Sequence, residues 1–242
     1  MNPAMPGDAD QNFKDQDIGD PVKPCGNGAT LYHVRVVEME TKQAYETTLR
    51  AAAAASTTHD LYKVVHKATK DDIWQQMQDS EHGDIFTSDT HTYIPDKGKP
   101  VATHGNKALG ICGYNWHWKG DNTDAGQVIL VDDMCDALRV GTAPTAAVII
   151  GCRSADLLKK IIDNAAAKVA FGIQSDIVDV DVNSVQASGA ATEITAALMR
   201  GDTIEDAAYA GTAKLTFGGQ TVTYELARGV SARKSLAGNK LL

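Results

Sequence analysis

The chain has 242 residues, with 23 basic and 31 acidic side chains, giving a net charge of −8 when its histidines are neutral. At about 100–200 residues per domain, this length makes one generous domain or two small ones, and 43% hydrophobic residues are enough for a buried core. The acidic balance, with no basic stripe, excludes nucleic acid as the main partner. The absence of a run of about 18 apolar residues argues against a membrane span.

Residues 1–28 are polar, acidic and rich in chain breakers, and are expected to form a flexible tail. They have no basic segment leading into an apolar one, so neither a signal peptide nor a transit peptide is expected. An alternation of strands and helices then runs to about residue 215. LYHVRVVEM (31–39) is β-branched and reads as a strand. QAYETTLRAAAAAS (43–56) is built from strong helix formers. HDLYKVVHKAT (59–69) reads as a second strand, and DDIWQQMQDS (71–80) as a helix from the spacing of Ile73, Trp74 and Met77. DIFTSDTH (84–91) fits a short strand or an extended loop, and PVATHG (100–105) a short apolar strand stopped by Gly105. Residues 106–131 break the rhythm and suggest a hairpin.

DMCDALRVG (133–141) reads as a short helix, and TAAVIIGC (145–152) as a strand buried on both faces of a parallel sheet. SADLLKKIIDNAAA (154–167) is an amphipathic helix with Ser154 as its expected N-cap. KVAFGIQ (168–174) is a further buried strand; ATEITAALMRG (191–201) and TIEDAAYAGTAKL (203–215) are helices. KLTFGGQTVTYELARG (214–229) is a hairpin turning at Gly218-Gly219. Repeated strand–helix–strand units imply a mostly parallel sheet with helices on both faces, whose reaction site lies beyond the carboxyl ends of the strands.

Two such ends carry reactive side chains. His104 ends PVATHG and Cys152 ends TAAVIIGC, 48 residues later. On neighbouring strands they would lie roughly 5 Å apart across the ladder. An imidazole at that distance holds a thiol as thiolate and protonates a leaving amine. The amino end of the helix after Cys152 favours the thiolate, and the backbone N–H groups of Gly105 and Cys152 are candidate oxyanion donors. The remaining cysteines sit apart: Cys25 in the tail, Cys112 in the hairpin, Cys135 in the short helix. Without a CxxC pair or a dense framework, the four read as reduced thiols of a cytoplasmic protein.

KPVATHGN and AAVIIGCRSADLLKKI resemble the two strand ends of caspase-like cysteine peptidases (the caspase and separase group), most closely the bacterial CHAT domains. In that group an apolar strand ends in the catalytic His and a Gly, and a later one ends in a small residue, here Gly151, and the catalytic Cys. The likeness covers about residues 30–217. It implies a caspase-like three-layer α/β fold over 29–242 and a cysteine endopeptidase cleaving a partner protein or peptide by a Cys152–His104 dyad. It implies no cofactor for the chemistry; the chain is short for such proteins and carries no sensing repeats, so regulation is expected from a partner protein, a separate subunit or self-cleavage in a loop. His91, 61 residues before Cys152, is the alternative base, although Thr92 follows it; His82, in the turn after a helix, suits the role less. Relatives that cut after Arg or Lys carry an acid two residues before the Cys, where this chain has Ile150.

Asp176, Asp179 and Asp181 follow the strand at 168–174. Asp176 is a candidate for a substrate pocket, and the group a candidate Ca²⁺ loop, against the plainer reading of a solvated loop. The rival to the peptidase is a domain of the same fold without activity, serving as a binding or assembly module. A flavodoxin-like small-molecule binder is disfavoured because no strand-to-helix turn carries a phosphate-binding glycine loop.

Overall fold

The computed structural model describes residues 16–17, 31–38, 43–93, 109–114, 127–151, 153–174, 184–217, 220–221 and 223–228. In chain order the elements are β1 (Gln16–Asp17), β2 (Tyr32–Glu38), α1 (Gln43–Ala55), β3 (His59–His66), α2 (Lys70–Gln78) and β4 (Ile85–Asp89). They continue as β5 (Thr92–Tyr93), β6 (Gly110–Cys112), β7 (Val128–Leu130), α3 (Val131–Leu138), β8 (Ala146–Ile150), α4 (Ala155–Asp163) and β9 (Val169–Gln174). The last are α5 (Ser184–Arg200), α6 (Ile204–Thr212), β10 (Thr216–Phe217), β11 (Gln220–Thr221) and β12 (Thr223–Arg228).

The main sheet has the order β1-β3-β2-β4-β8-β9-β12. Its five central strands run parallel, and β1 and β12 flank them antiparallel. Alternation along each strand sends side chains to two cores. Val34, Val36, Ile85, Val148, Ile150 and Phe171 pack under α1, α5 and α6. Val37, Val65, Phe86, Ile149 and Ala170 pack under α2, α3, α4 and the small antiparallel sheet β5-β6-β7. All five residues of β8 are buried, because both faces of this central strand are covered by helices. The result is a three-layer α/β fold with a mostly parallel sheet.

Local chemistry explains most element boundaries. α2 starts at a capping box, in which the Thr69 hydroxyl accepts from the Asp72 N–H and the Asp72 carboxylate accepts from the Thr69 N–H at 2.8 Å. α6 starts at Thr203, whose hydroxyl accepts from the Asp206 N–H. The Thr87 and Thr195 hydroxyls, 2.8 Å apart, join β4 to α5 within the core.

Within 1–28, Gln16 and Asp17 pair with Val64 and Lys63 at the sheet edge, and the rest of that stretch lies outside the described residues. Three sequence-based expectations need correction. α4 ends at Asp163, four residues early, where Ala165 turns left-handed (φ 53°). There the Ala166 N–H donates to Ile161 and the Ala165 N–H to Ile162, the Schellman closure that a glycine usually makes. α5 begins at Ser184 rather than 191; its first turns are small and polar, so they carry no apolar period to read. Ser154 does not cap α4, and its hydroxyl is used elsewhere. The hairpin expected in 106–131 is present as β6 against β7, and that of 214–229 as β10 against β11. The strand expected at 100–105 lies outside the described residues.

Candidate functional site

Parallel strands present all their carboxyl ends at one rim, and the crevice forms where strand order reverses. Here β3 lies on one side of β2, and β4, β8 and β9 follow on the other, so the reversal falls between β2 and β4. The register determines what meets at this rim. Glu38 pairs with His66 and with Asp89, and Asp89 pairs with Ile150. By strand alternation this row points toward α1 and α5, the side on which Ile150 is buried.

Beyond the last ladder pair, β4 and β8 stay in contact. The Thr90 N–H donates to the Ile150 carbonyl at 3.1 Å. A methyl group on Gly151 would lie 2.4 Å from the Thr90 carbonyl oxygen and 2.6 Å from Thr92 Oγ1, so only glycine fits there. The two neighbours of His91 in sequence therefore both pack on the residue that precedes Cys152. The His91 carbonyl accepts from the Cys112 N–H at 2.9 Å, and Thr92 pairs with Ile111, which ties this segment to the small sheet. His91 itself is exposed.

On the far side of Cys152, Arg153 adopts a left-handed backbone (φ 54°), uncommon for a residue other than glycine. Its guanidinium meets Asp156 at 3.1 Å. The buried Ser154 hydroxyl accepts the Ile173 N–H at 2.9 Å. The β8–β9 ladder ends at Val148 and Phe171, so Ser154 supplies a partner that β8 no longer can. Strain of this kind persists where surrounding contacts hold it, and it clusters at functional turns. Cys152 itself lies outside the described residues.

His104, Gly105 and Asp176 also lie outside the described residues, as do Asp179 and Asp181. The premise that paired His104 with Cys152 was a strand at 100–105 beside 145–152. The neighbours of β8 are instead β4 and β9, and the histidine just past the end of β4 is His91. Residue spacing gave no means of telling which strand would be the neighbour. His82 lies before β4, at the opposite end of the sheet, where its backbone N–H donates to the Thr142 hydroxyl at 2.7 Å.

The rim also holds ionisable groups that the sequence reading passed over. His66 is fully buried, with Nδ1 3.0 Å from Glu38 Oε2 and Nε2 3.2 Å from Glu46 Oε2 of α1. Burial opposes its charged form, but hydrogen bonds and charges from Glu38 and Glu46 outweigh burial and raise its pKa. Arg50 Nε donates to Glu46 at 2.7 Å, and the Ser188 hydroxyl donates to the Asp89 carboxylate. Burial, then the charges of Asp89 and Glu38, push the Tyr45 hydroxyl up. The one signal in the sequence was a charged residue closing each apolar run, in VVE and KVVH.

Two cysteines can be set aside. Burial pushes the Cys112 thiol up to about 12 and the Cys135 thiol up to about 11, so neither forms a thiolate at neutral pH. Among the described residues no group of three His, Cys, Asp or Glu side chains is arranged to hold a metal ion. Among the described residues no helix is long and apolar enough to cross a membrane. No protein-family model matches the chain, and no curated protein matches it.

Proposed function

We propose that the chain is a cysteine endopeptidase of the caspase-like type, with Cys152 as nucleophile and His91, rather than His104, as its acid–base partner. The observation that carries this reading is the seating of Gly151 against both Thr90 and Thr92, the residues on either side of His91. Cys152 as thiolate adds to a peptide carbonyl carbon, and the imidazolium of His91 gives its proton to the departing amine. Water then hydrolyses the thioester, with His91 taking the proton as base. The amino end of α4, which starts three residues after Cys152, favours the thiolate. The substrate class is an exposed loop of a partner protein, since the site is placed at the carboxyl rim of the sheet. A reaction that depends on a reduced thiol suits the cytoplasm.

The same fold without activity, serving as an assembly module, is the second reading. It is favoured by Ile150 at the position where relatives that cut after Arg or Lys carry an acid, and by Thr92 where the group carries glycine after the histidine. Incubation with a diverse peptide library separates the two. Cleavage products that vanish with Cys152→Ala support the peptidase. No cleavage by the wild-type chain, together with a Cys152 no more reactive than in the unfolded protein, leaves the module.

A further inference from the structure

His66 places a proton where the sheet meets its first helix. It ends β3, is fully buried, and has a carboxylate at each ring nitrogen. Glu38 Oε2 lies 3.0 Å from Nδ1, and Glu46 Oε2 lies 3.2 Å from Nε2. An ionised carboxylate only accepts hydrogen bonds, and a neutral imidazole carries a single N–H. Both contacts are therefore satisfied together only when the ring is charged. Burial opposes that charge, but the hydrogen bonds and charges of Glu38 and Glu46 outweigh it and raise the pKa above 6.5.

The two carboxylates differ in freedom. Glu38 stands opposite His66 in the β2–β3 ladder, so the sheet fixes it. Glu46 lies in the first turn of α1, and Arg50, one turn on, donates to its other oxygen at 2.7 Å. When the ring loses its proton, Glu46 faces a lone pair and still keeps a cation on its own helix. The contact that gives way is the one to α1. The same turn carries Tyr45, whose hydroxyl donates to the Val185 carbonyl at 2.7 Å, so movement there also parts α1 from the start of α5.

We infer that His66 is a proton-operated clasp: charged, it holds the first turn of α1 down on the carboxyl rim, and neutral, it lets that end of the helix lift. Lifting uncovers the row of Glu38, His66 and Asp89 beside the reversal of strand order, so pH sets access to the crevice. Among the described residues, the other ionisable groups around this end of the rim are Tyr45 and Arg50 of α1, Asp89 of β4, and Lys67. Burial, then Asp89 and Glu38, push the Tyr45 hydroxyl up, away from neutral pH. Asp89 accepts the Ser188 hydroxyl, and Lys67 holds its ammonium 5.4 Å from the centre of the Tyr114 ring. Of all these groups, the imidazole is the one whose ordinary titration falls near neutral pH.

Backbone hydrogen exchange of the whole chain, read by mass spectrometry from pH 6 to pH 9 and corrected for the intrinsic rate, tests the clasp. The hold is complete below the free-ring value near 6.5 and is lost as pH rises through the raised folded value. Protection of α1 should therefore fall by roughly threefold or more in the wild type, as a shift of half a pKa unit or larger implies. Protection of β8 and α4 should stay level. In Glu46→Gln the side-chain amide donates to the bare nitrogen, so α1 should stay protected throughout; His66→Gln should be equally flat. Level protection of α1 in the wild type overturns the inference. So does a fall that persists unchanged in Glu46→Gln, since another group would then be titrating. A fall shared equally by α1, β8 and α4 makes His66 a contributor to global stability alone, and overturns the clasp as well.

Discussion

Two buried histidines give this molecule opposing responses to pH. His59 is 1% exposed, with Nε2 3.1 Å from the Gly83 carbonyl and Nδ1 3.0 Å from the Thr58 hydroxyl, a pattern that the neutral ring satisfies as donor and acceptor. Burial lowers its pKa to about 4, against a smaller upward pull from the Gly83 carbonyl. The unfolded chain takes up this proton near 6.5 and the folded chain only near 4, so stability falls as pH drops through that window. The full loss is about 3 kcal/mol. Denaturant unfolding at pH 7 and at pH 4.5 should show a smaller acid loss for His59→Gln than for wild type; equal losses would show that His59 is not the group responsible. His66 acts in the other sense. Its raised pKa contributes stability below the unfolded value, and that contribution is lost as pH rises through the folded value. Neither role could be read from the sequence, where each is a histidine in a strand. Burial and partners arise only once α1 and the loop before β4 pack against β2 and β3.

At the scale of elements, apolar runs located β2, β3, β8 and β9, helix propensity located α1, and apolar spacing located α2 and α4, all within a few residues, because each buries at least one face in the two cores. It failed where burial is carried by small residues. The first turns of α5 read SVQASGA, and Gly189 there lies beside Tyr45 of α1, where a methyl group would make ordinary contact at 3.6 Å from Tyr45 Oη. The start of α4 is the element boundary that bears most on the site. Gly172 of β9 faces it so closely that a methyl group would lie 2.8 Å from the Ala155 N. That approach, together with the Ser154–Ile173 bond, places the turn that follows Cys152. Gly172→Ala should cost about 1–3 kcal/mol in denaturant unfolding, as overpacking against backbone does. It should also slow Cys152 alkylation in the folded chain, because the turn must shift to make room. A stability loss with unchanged alkylation would show that α4 moves without carrying the turn that follows Cys152.

For the molecule as a whole, the sequence made the three-layer α/β class and its parallel sheet legible, because long buried strands alternating with amphipathic helices admit few other arrangements. It did not reveal strand order, and strand order decides which histidine follows the strand beside β8. PVATHG looked like the partner of TAAVIIGC because a His-Gly ends an apolar run. IFTSD was ambiguous because its Thr, Ser and Asp hide a strand whose hydroxyls are paired within the sheet and with α5. With β4 beside β8, the segment around His91 packs on Gly151. The measurement that tests this most directly is the pH dependence of Cys152 alkylation in His91→Ala and His104→Ala. An imidazole that stabilises the thiolate lowers the pH at which alkylation begins. Losing the true partner should therefore slow labelling at pH 6–7 by roughly tenfold or more, as expected for a shift of one pKa unit or larger. The account predicts that loss in His91→Ala and a wild-type profile in His104→Ala. The reverse result would contradict it, returning the base to His104.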